Sequence, residues 1–157
     1  MRQIVATVRP VEDADIAKVQ EIAGRTIKAC FPVFLGQELA FGYVDGGLSD
    51  AEIVLHREML FVMVEDDRLV GFCIVVDDLI HLMMIDVVLH RLGLGSRMLA
   101  WCEAEIRRRG HAVARLETFT DNSQAVGFYR KNGWVETSRD EGGNGLPGRI
   151  HFRKVLP

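Results

Sequence analysis

Ile85-Asp86-Val87-Val88-Leu89-His90-Arg91-Leu92-Gly93-Leu94-Gly95-Ser96 decides how this chain is read. The apolar run Leu79–Ile85 ends here and reads as a buried central strand. Gly93 and Gly95 follow, and Leu94, Met98, Leu99, Cys102 and Ile106 then recur on one helical face. The local order is strand, tight turn, amphipathic helix. Amides in the first turn of a helix lack intrahelical partners and, with the helix dipole, make a site for an anion. Glycine lets the backbone approach a phosphate closely, and Arg91 and Arg97 add positive charge nearby. A dinucleotide fingerprint is excluded, because Met98 stands where a third Gly or Ala is required. A nucleotide P-loop is excluded too, since G-x-x-x-x-G-K is absent. Taken alone, the stretch reads equally well as a glycine turn without a ligand.

Upstream, Ile4–Arg9 alternates as a strand that Pro10 ends, and a helix with an acidic start follows to about Ala29. Phe31–Gly47 reads as irregular and aromatic. Ser49-Asp50 reads as the cap of a second helix, through about Arg57. Met59–Val64 and Leu69–Val76 flank Glu65-Asp66-Asp67-Arg68 as a hairpin with a charged turn. Downstream, Arg107-Arg108-Arg109 occupies the last turn of the glycine-led helix and Gly110 ends it. Then come a strand over Val113–Thr120, a helix over Ser123–Lys131 capped near Asn122, a strand over Trp134–Ser138, a glycine-rich loop over Asp140–Gly148 and a strand over Ile150–Val155. The predicted order is βααβββαβαββ: a mixed α/β chain with helices on a sheet, and one domain spanning residues 1–157.

The chain has 157 residues, 48% hydrophobic and 26% charged, enough for a core of its own and too apolar for disorder. Its formal charge of −3 argues against a general nucleic-acid binder. That total hides a segregation: residues 1–90 sum to −8 and residues 91–157 to +5. The basic part begins at the glycine turn, which predicts a positive cleft for an anionic ligand and an acidic mouth beside it. Cys30, Cys73 and Cys102 form no disulfide framework and no zinc pair, and read as buried reduced thiols. The five histidines show no ligand spacing, so no metal is expected. No signal peptide and no apolar run of spanning length is present, so a cytoplasmic protein without membrane contact is expected.

A second segment is more specific: Asn122-Ser123-Gln124-Ala125-Val126-Gly127-Phe128-Tyr129-Arg130-Lys131-Asn132-Gly133-Trp134. It is similar to the N-x-x-A-x-x-F-Y-x-K-x-G-F segment of the GCN5-related N-acetyltransferase (GNAT) family. The stretch from Ile85 to Gly95 resembles the same family's acetyl-CoA motif, roughly V-x-P-x-x-[RQ]-G-x-G-x-[GA], and one helix and one strand separate the two segments as in the family. His90 replaces the usual Arg or Gln, Arg91 a usual Gly, and Val87 the common Pro. The resemblance implies a mostly antiparallel mixed sheet of about six to seven strands with about four helices. It implies that the strand Leu79–Ile85 and the next one splay apart, and that acetyl-CoA binds between them as co-substrate. The pantetheine arm pairs with the backbone around Ile85, Asp86 and Val87. The pyrophosphate sits on the amides of Arg91, Leu92, Gly93, Leu94, Gly95 and Ser96. Asn122, Ala125 and Phe128 border the cofactor, and Tyr129 protonates the departing thiolate. A homodimer through the C-terminal strands is a further family-level expectation.

Acetyl transfer to an amine needs a neutral amine, a polarised thioester carbonyl and a proton for the leaving thiolate. A phenol with an ordinary pKa near 10 can serve a thiol near 8.5. A backbone N–H near Ile85 would polarise the carbonyl. His81, in one wall of the cleft, and Glu117, in the neighbouring strand, are the candidate bases; Asp78 and a water relay are alternatives. The acceptor is expected against Phe31–Tyr43, the hairpin and the Asp140–Gly148 loop; Phe34, Phe41 and Tyr43 read as core packing ahead of acceptor lining, and Asp45, Asp50, Glu65, Asp66 and Asp67 as a solvated surface ahead of an attractor for a cationic amine. The leading function class is an N-acetyltransferase acting on a small-molecule or peptide amine; a non-catalytic acetyl-CoA sensor and an anion- or nucleotide-binding regulator are the alternatives.

Overall fold

The computed structural model describes residues 6–90 and 92–157; Ile4 and Val5 of the expected first strand lie outside them. Among the described residues seven strands form one sheet: β1 (Ala6–Pro10), β2 (Leu60–Glu65), β3 (Arg68–Val76), β4 (Leu79–Ile85), β5 (Val113–Phe119), β6 (Val135–Arg139) and β7 (Arg149–Val155), in the order β1-β2-β3-β4-β5-β7-β6. Every pairing is antiparallel except β4 with β5. A parallel pair needs a long crossover, and helix α5 (Leu94–Arg108) supplies it. Pro10 is the last residue of the edge strand β1, where a missing N–H is tolerated, and pairs with Phe61. The β2–β3 turn is Asp66-Asp67 with φ of 49° and 61°, the left-handed pair that a two-residue hairpin demands.

Helices cover both faces. On one, Leu94, Met98, Leu99, Cys102 and Ile106 of α5 pack onto Cys73, Val75, Ile80 and Phe152 of the sheet. On the other, Val19, Ile22, Ala23 and Ile27 of α1 (Ile16–Cys30) pack onto Val62, Phe72, Ile74 and Met84. β3, covered on both sides, is buried from Leu69 to Val75. The basic triplet pins the end of α5: Arg109 Nη1 donates to the carbonyls of Val75 and Asp77, both at 3.1 Å, and Arg107 Nε to that of Pro157 at 3.0 Å.

The region expected to be irregular is helical. Between Phe31 and Gly47 lie α2 (Pro32–Leu35) and α3 (Gln37–Asp45), so the described residues hold six helices rather than about four. Pro32 takes the first helical position, and Ala40, Phe41, Tyr43 and Val44 pack into the α1 core. Helix α4 (Leu48–Leu55) is capped by Gly47, two residues before the expected Ser49, and Ser49 is buried within its first turn. α6 covers Ser123–Lys131, with Asn122 as its cap. Cys73 and Cys102 are buried; Cys30 is only half-buried.

Candidate active site

β4 has two different edges. Toward β3 it pairs from Val76↔Leu79 to Gly71↔Ile85 with one interruption at His81, and Asp86 N–H continues the ladder to Val70 O at 2.9 Å. Toward β5 it pairs only at Leu79↔Arg115 and Ile80↔Leu116. Asp78 closes the vertex: its carbonyl accepts the Arg115 N–H at 2.9 Å and its carboxylate takes the guanidinium at 2.7 and 2.9 Å. The guanidinium's hydrogen bonds hold the Asp78 carboxyl below its usual pKa against partial burial. Beyond Ile80 the strands part around a cleft of about 750 Å³. Polar groups on an antiparallel strand alternate between its two edges. With Asp86 bonded toward β3, the amides and carbonyls of Ile85 and Met83 face the cleft instead.

His81 is the extra residue of a β-bulge. Ile74 pairs with Leu82 and Val75 with Ile80, so two steps on β4 oppose one on β3. A bulge re-aims a side chain, and here it brings His81 to helix α4, with Nε2 2.5 Å from Glu52 Oε1. Glu117, on the β5 side of the cleft, is engaged by Arg149 Nη1 at 2.6 Å and lies 3.3 Å from His151 Nδ1. Tyr129 lines the cleft among Phe128, Trp134 and Phe152, with ring centroids 5.3, 6.2 and 6.0 Å away. Burial pushes its phenol well above the ordinary value, so the proton stays on the oxygen at neutral pH.

At the open end of the cleft the glycine turn starts α5. Gly93 sits at φ 79°, the left-handed conformation that disfavours side chains. The first i→i−4 bond of the helix is Arg97 N–H to Gly93 O at 3.3 Å, so the amides of Leu94, Gly95 and Ser96 precede it. A Cβ at Gly95 would stand 3.6 Å from the Phe128 ring, which brings α6 against this turn. Asn122 Oδ1 accepts the Ala125 N–H at 3.3 Å.

Of the residues singled out from sequence, Ile85, Gly93, Gly95, Ser96, Asn122, Ala125 and Phe128 line the cleft together with His81, Glu117 and Tyr129. Asp86, Val87, Leu92 and Leu94 are not among its lining. Asp86 is 1% exposed and its carboxylate grips Arg25 of α1 at 2.6 and 3.1 Å. Val87 opens a single 3-10 turn, Leu92 is exposed and Leu94 belongs to the α5 core. Arg91 lies outside the described residues.

His90 contributes more than a departure from a motif. Its Nε2 is 2.7 Å from the Ile85 carbonyl, which can only accept, so Nε2 carries the proton. One cleft-facing group of β4 is thereby already occupied, leaving the Ile85 N–H and both groups of Met83. Met83, Thr26 and Cys30 also line the cleft and carried no sequence signal.

The charge pattern did not translate into a positive cleft. Among the described residues lining it, Lys131 is the sole Lys or Arg. Arg115, Arg130, Arg139, Arg149 and Lys154 are instead spent on Asp78, Glu136, Glu117 and Glu103. None of Asp45, Asp50, Glu65, Asp66 and Asp67 lines the cleft; Asp45 pairs with Lys28 at 2.6 Å. Phe41 and Tyr43 are packing residues, and Phe34 stacks between Phe31 and Phe119 at 5.0 and 5.4 Å.

Residues 56–136 match the profile of the Acetyltransferase (GNAT) domain, and the chain belongs to this family. No curated protein sequence matches it. Solved structures share the fold from end to end at low identity. A GCN5-related N-acetyltransferase from Rhodopseudomonas palustris superposes with a TM-score of 0.84 at 17% identity, over 99% of each chain. The PaiA N-acetyltransferase of Thermoplasma acidophilum, solved in complex with coenzyme A, gives 0.79 at 16% over 97% of this chain and 99% of that one. A GNAT-family acetyltransferase from Bacillus cereus gives 0.74 at 14% over 98% and 99%. Among the described residues no helix is long and apolar enough to cross a membrane.

Proposed function

We propose that this single domain transfers the acetyl group of acetyl-CoA to a primary amine, by direct attack within a ternary complex. The observation that carries the reading is the parting of β4 from β5 after Ile80, with cleft-facing backbone groups at Met83 and Ile85 and the start of α5 at one end. An extended pantetheine arm, which bears amides, suits an unpaired strand edge. The pyrophosphate suits the amides of Gly93, Leu94, Gly95 and Ser96. Because His90 holds the Ile85 carbonyl, the Ile85 N–H is the group free to polarise the thioester oxygen. The coenzyme A bound to the Thermoplasma acidophilum relative supports the same ligand here.

The amine nitrogen attacks the carbonyl carbon, the C–S bond breaks, and the electron pair leaves on sulfur. Tyr129 offers its phenolic proton to that sulfur. Its raised pKa keeps the donor loaded but makes complete transfer uphill, so it acts by a hydrogen bond that strengthens as charge develops. The proton lost by the amine goes to His81 or Glu117, on opposite walls of the cleft. Glu117 is already neutralised by Arg149, which favours His81.

The test is thermal stabilisation by acetyl-CoA, followed by thiol release against a panel of amino acids, polyamines, aminoglycosides and peptide N-termini. Stabilisation with thiol release above background is expected. No saturable acetyl-CoA binding sinks the reading, and binding without release from any amine replaces it with a sensor. Tyr129→Phe should lower turnover about 10²-fold while sparing acetyl-CoA affinity. His81→Ala and Glu117→Gln separate the two proton acceptors.

A further inference from the structure

Glu52, His56 and His81 form a second constellation at the edge of the cleft. Glu52 on α4 and His56, the cap that follows the helix, stand one turn apart, and His81 reaches them from the bulge of β4. His81 Nε2 is 2.5 Å from Glu52 Oε1, and His56 Nδ1 is 3.3 Å from the same oxygen. The two imidazole rings lie 4.4 Å apart at 32°, so their nitrogens converge on one carboxylate. One ligand atom from each residue falls within 4.8 Å of the other two. The side chains of Glu52, His56 and His81 are 27, 17 and 35% exposed, held by packing yet reachable from solvent.

Glu52 differs from the other carboxylates around the cleft. Asp86 has Arg25, Asp78 has Arg115 and Glu117 has Arg149. Among the described residues Glu52 has only the two imidazoles, which leave its charge uncompensated whenever they are neutral. The Tyr43 phenol registers that charge: burial raises it first, and Glu52 raises it further.

We propose that Glu52, His56 and His81 bind a divalent transition-metal cation of the zinc class at the rim of the cleft. Two imidazole nitrogens and one carboxylate oxygen are a donor set for such ions, with a fourth position left to solvent. Ligand bonds of about 2.0–2.1 Å in a tetrahedral site put neighbouring donors about 3.3 Å apart. His56 Nδ1 also lies 3.1 Å from the Glu52 carbonyl, which can only accept, so that nitrogen is protonated here. Loading therefore takes His56 through Nε2 or breaks that bond, and the Glu52 carboxylate draws back from His81. An imidazole that ligates through Nε2 keeps its single proton on Nδ1. The loaded site therefore withdraws His81 from proton acceptance and places a cation beside the amine's path. That consequence rests on the transferase reading, whereas the binding does not.

The test is calorimetric titration of the metal-stripped protein with ZnCl2, in a non-chelating buffer without acetyl-CoA or amine, with Co2+ absorption as a second probe. One equivalent is expected to bind. Glu52→Ala, His56→Ala and His81→Ala should each weaken binding by about tenfold or more, with unchanged circular dichroism showing that the fold is retained. Cys30→Ser and His151→Ala, which remove two other potential donors near the cleft, should bind as the parent does. Absence of zinc binding overturns the proposal, as does uptake unaffected by the three substitutions. Loss in Cys30→Ser or His151→Ala overturns it too, as does magnesium binding as tightly as zinc, because Mg2+ takes oxygen donors. Zinc binding in a protein that shows no acetyl-CoA binding would leave this site standing and the transferase reading fallen.

Discussion

The two edges of β4 carry the same strand to opposite ends. Toward β3 every residue but the bulged His81 is paired, backed by Phe72 and Met84 on one helix layer and by Cys73 on the other. Toward β5 pairing stops after Ile80 and the strand's polar groups look into a cleft. An unpaired internal edge is costly unless water or a ligand satisfies it. The closed edge supplies rigidity and the open edge supplies function, so each is best tested by disturbing the other.

The largest effect is expected at Gly71, where β3 meets the end of β4. A Cβ there would stand 2.7 Å from the Met84 carbonyl oxygen and from Ile85 Cδ1, with backbone unable to yield. Gly71→Val should destabilise by about 3 kcal/mol in urea unfolding, and survivors should lose acetyl-CoA binding because Ile85 is displaced. A milder break is Arg25→Ala, which strands the buried Asp86 carboxylate beside the turn after β4. It should cost about 2 kcal/mol, limited by the partial exposure of Arg25. Asp86→Asn combined with Arg25→Ala should recover part of this, since the uncompensated charge is gone.

At the open edge, Gly93→Ala forces a side chain into the left-handed region at φ 79°. About 1 kcal/mol of stability should be lost, and acetyl-CoA should bind more weakly as the start of α5 shifts. The smallest effect is at the vertex. Asp78→Asn breaks a half-exposed pair with Arg115 and should cost less than about 1 kcal/mol at neutral pH. The sign with pH is definite. The folded-state pKa of Asp78 is lowered, so the pair's contribution is present above the unfolded carboxylate value near 3.9 and is lost as pH falls through the folded one. Unfolding midpoints of parent and variant should differ at pH 7 and draw together as pH falls below the unfolded carboxylate value and through the lower folded one.

Some of this was legible without coordinates because it is local. The hairpin at Asp66-Asp67, the helix behind Gly93 and the Asn122-capped helix each follow from periodicity, turn chemistry and caps within a dozen residues. α2 and α3 were not legible. They are four and nine residues long, too short to be stable alone, and form because Ala40, Phe41 and Val44 pack on α1. The grouping of Gly93, Gly95, Asn122, Phe128 and Tyr129 could be expected from the two motifs, while the Arg25–Asp86 pair joins residues 61 apart and left no trace in either. Glu52 and His56 stood four apart in plain view, but His81 joins them only through the bulge.

The sequence by itself determined the order of strands and helices after Ser49 and the glycine turn, because periods of 2 and 3.6 and capping chemistry act over short range; the residues gathered around that turn were expected only from the family resemblance. The tertiary structure alone decided which charges are spent. The excess of −8 before residue 91 and of +5 from there on is a true property of the chain, yet most of the cations fold onto carboxylates rather than into the cleft. Coulomb energy depends on separation in space, and separation along the chain does not fix it.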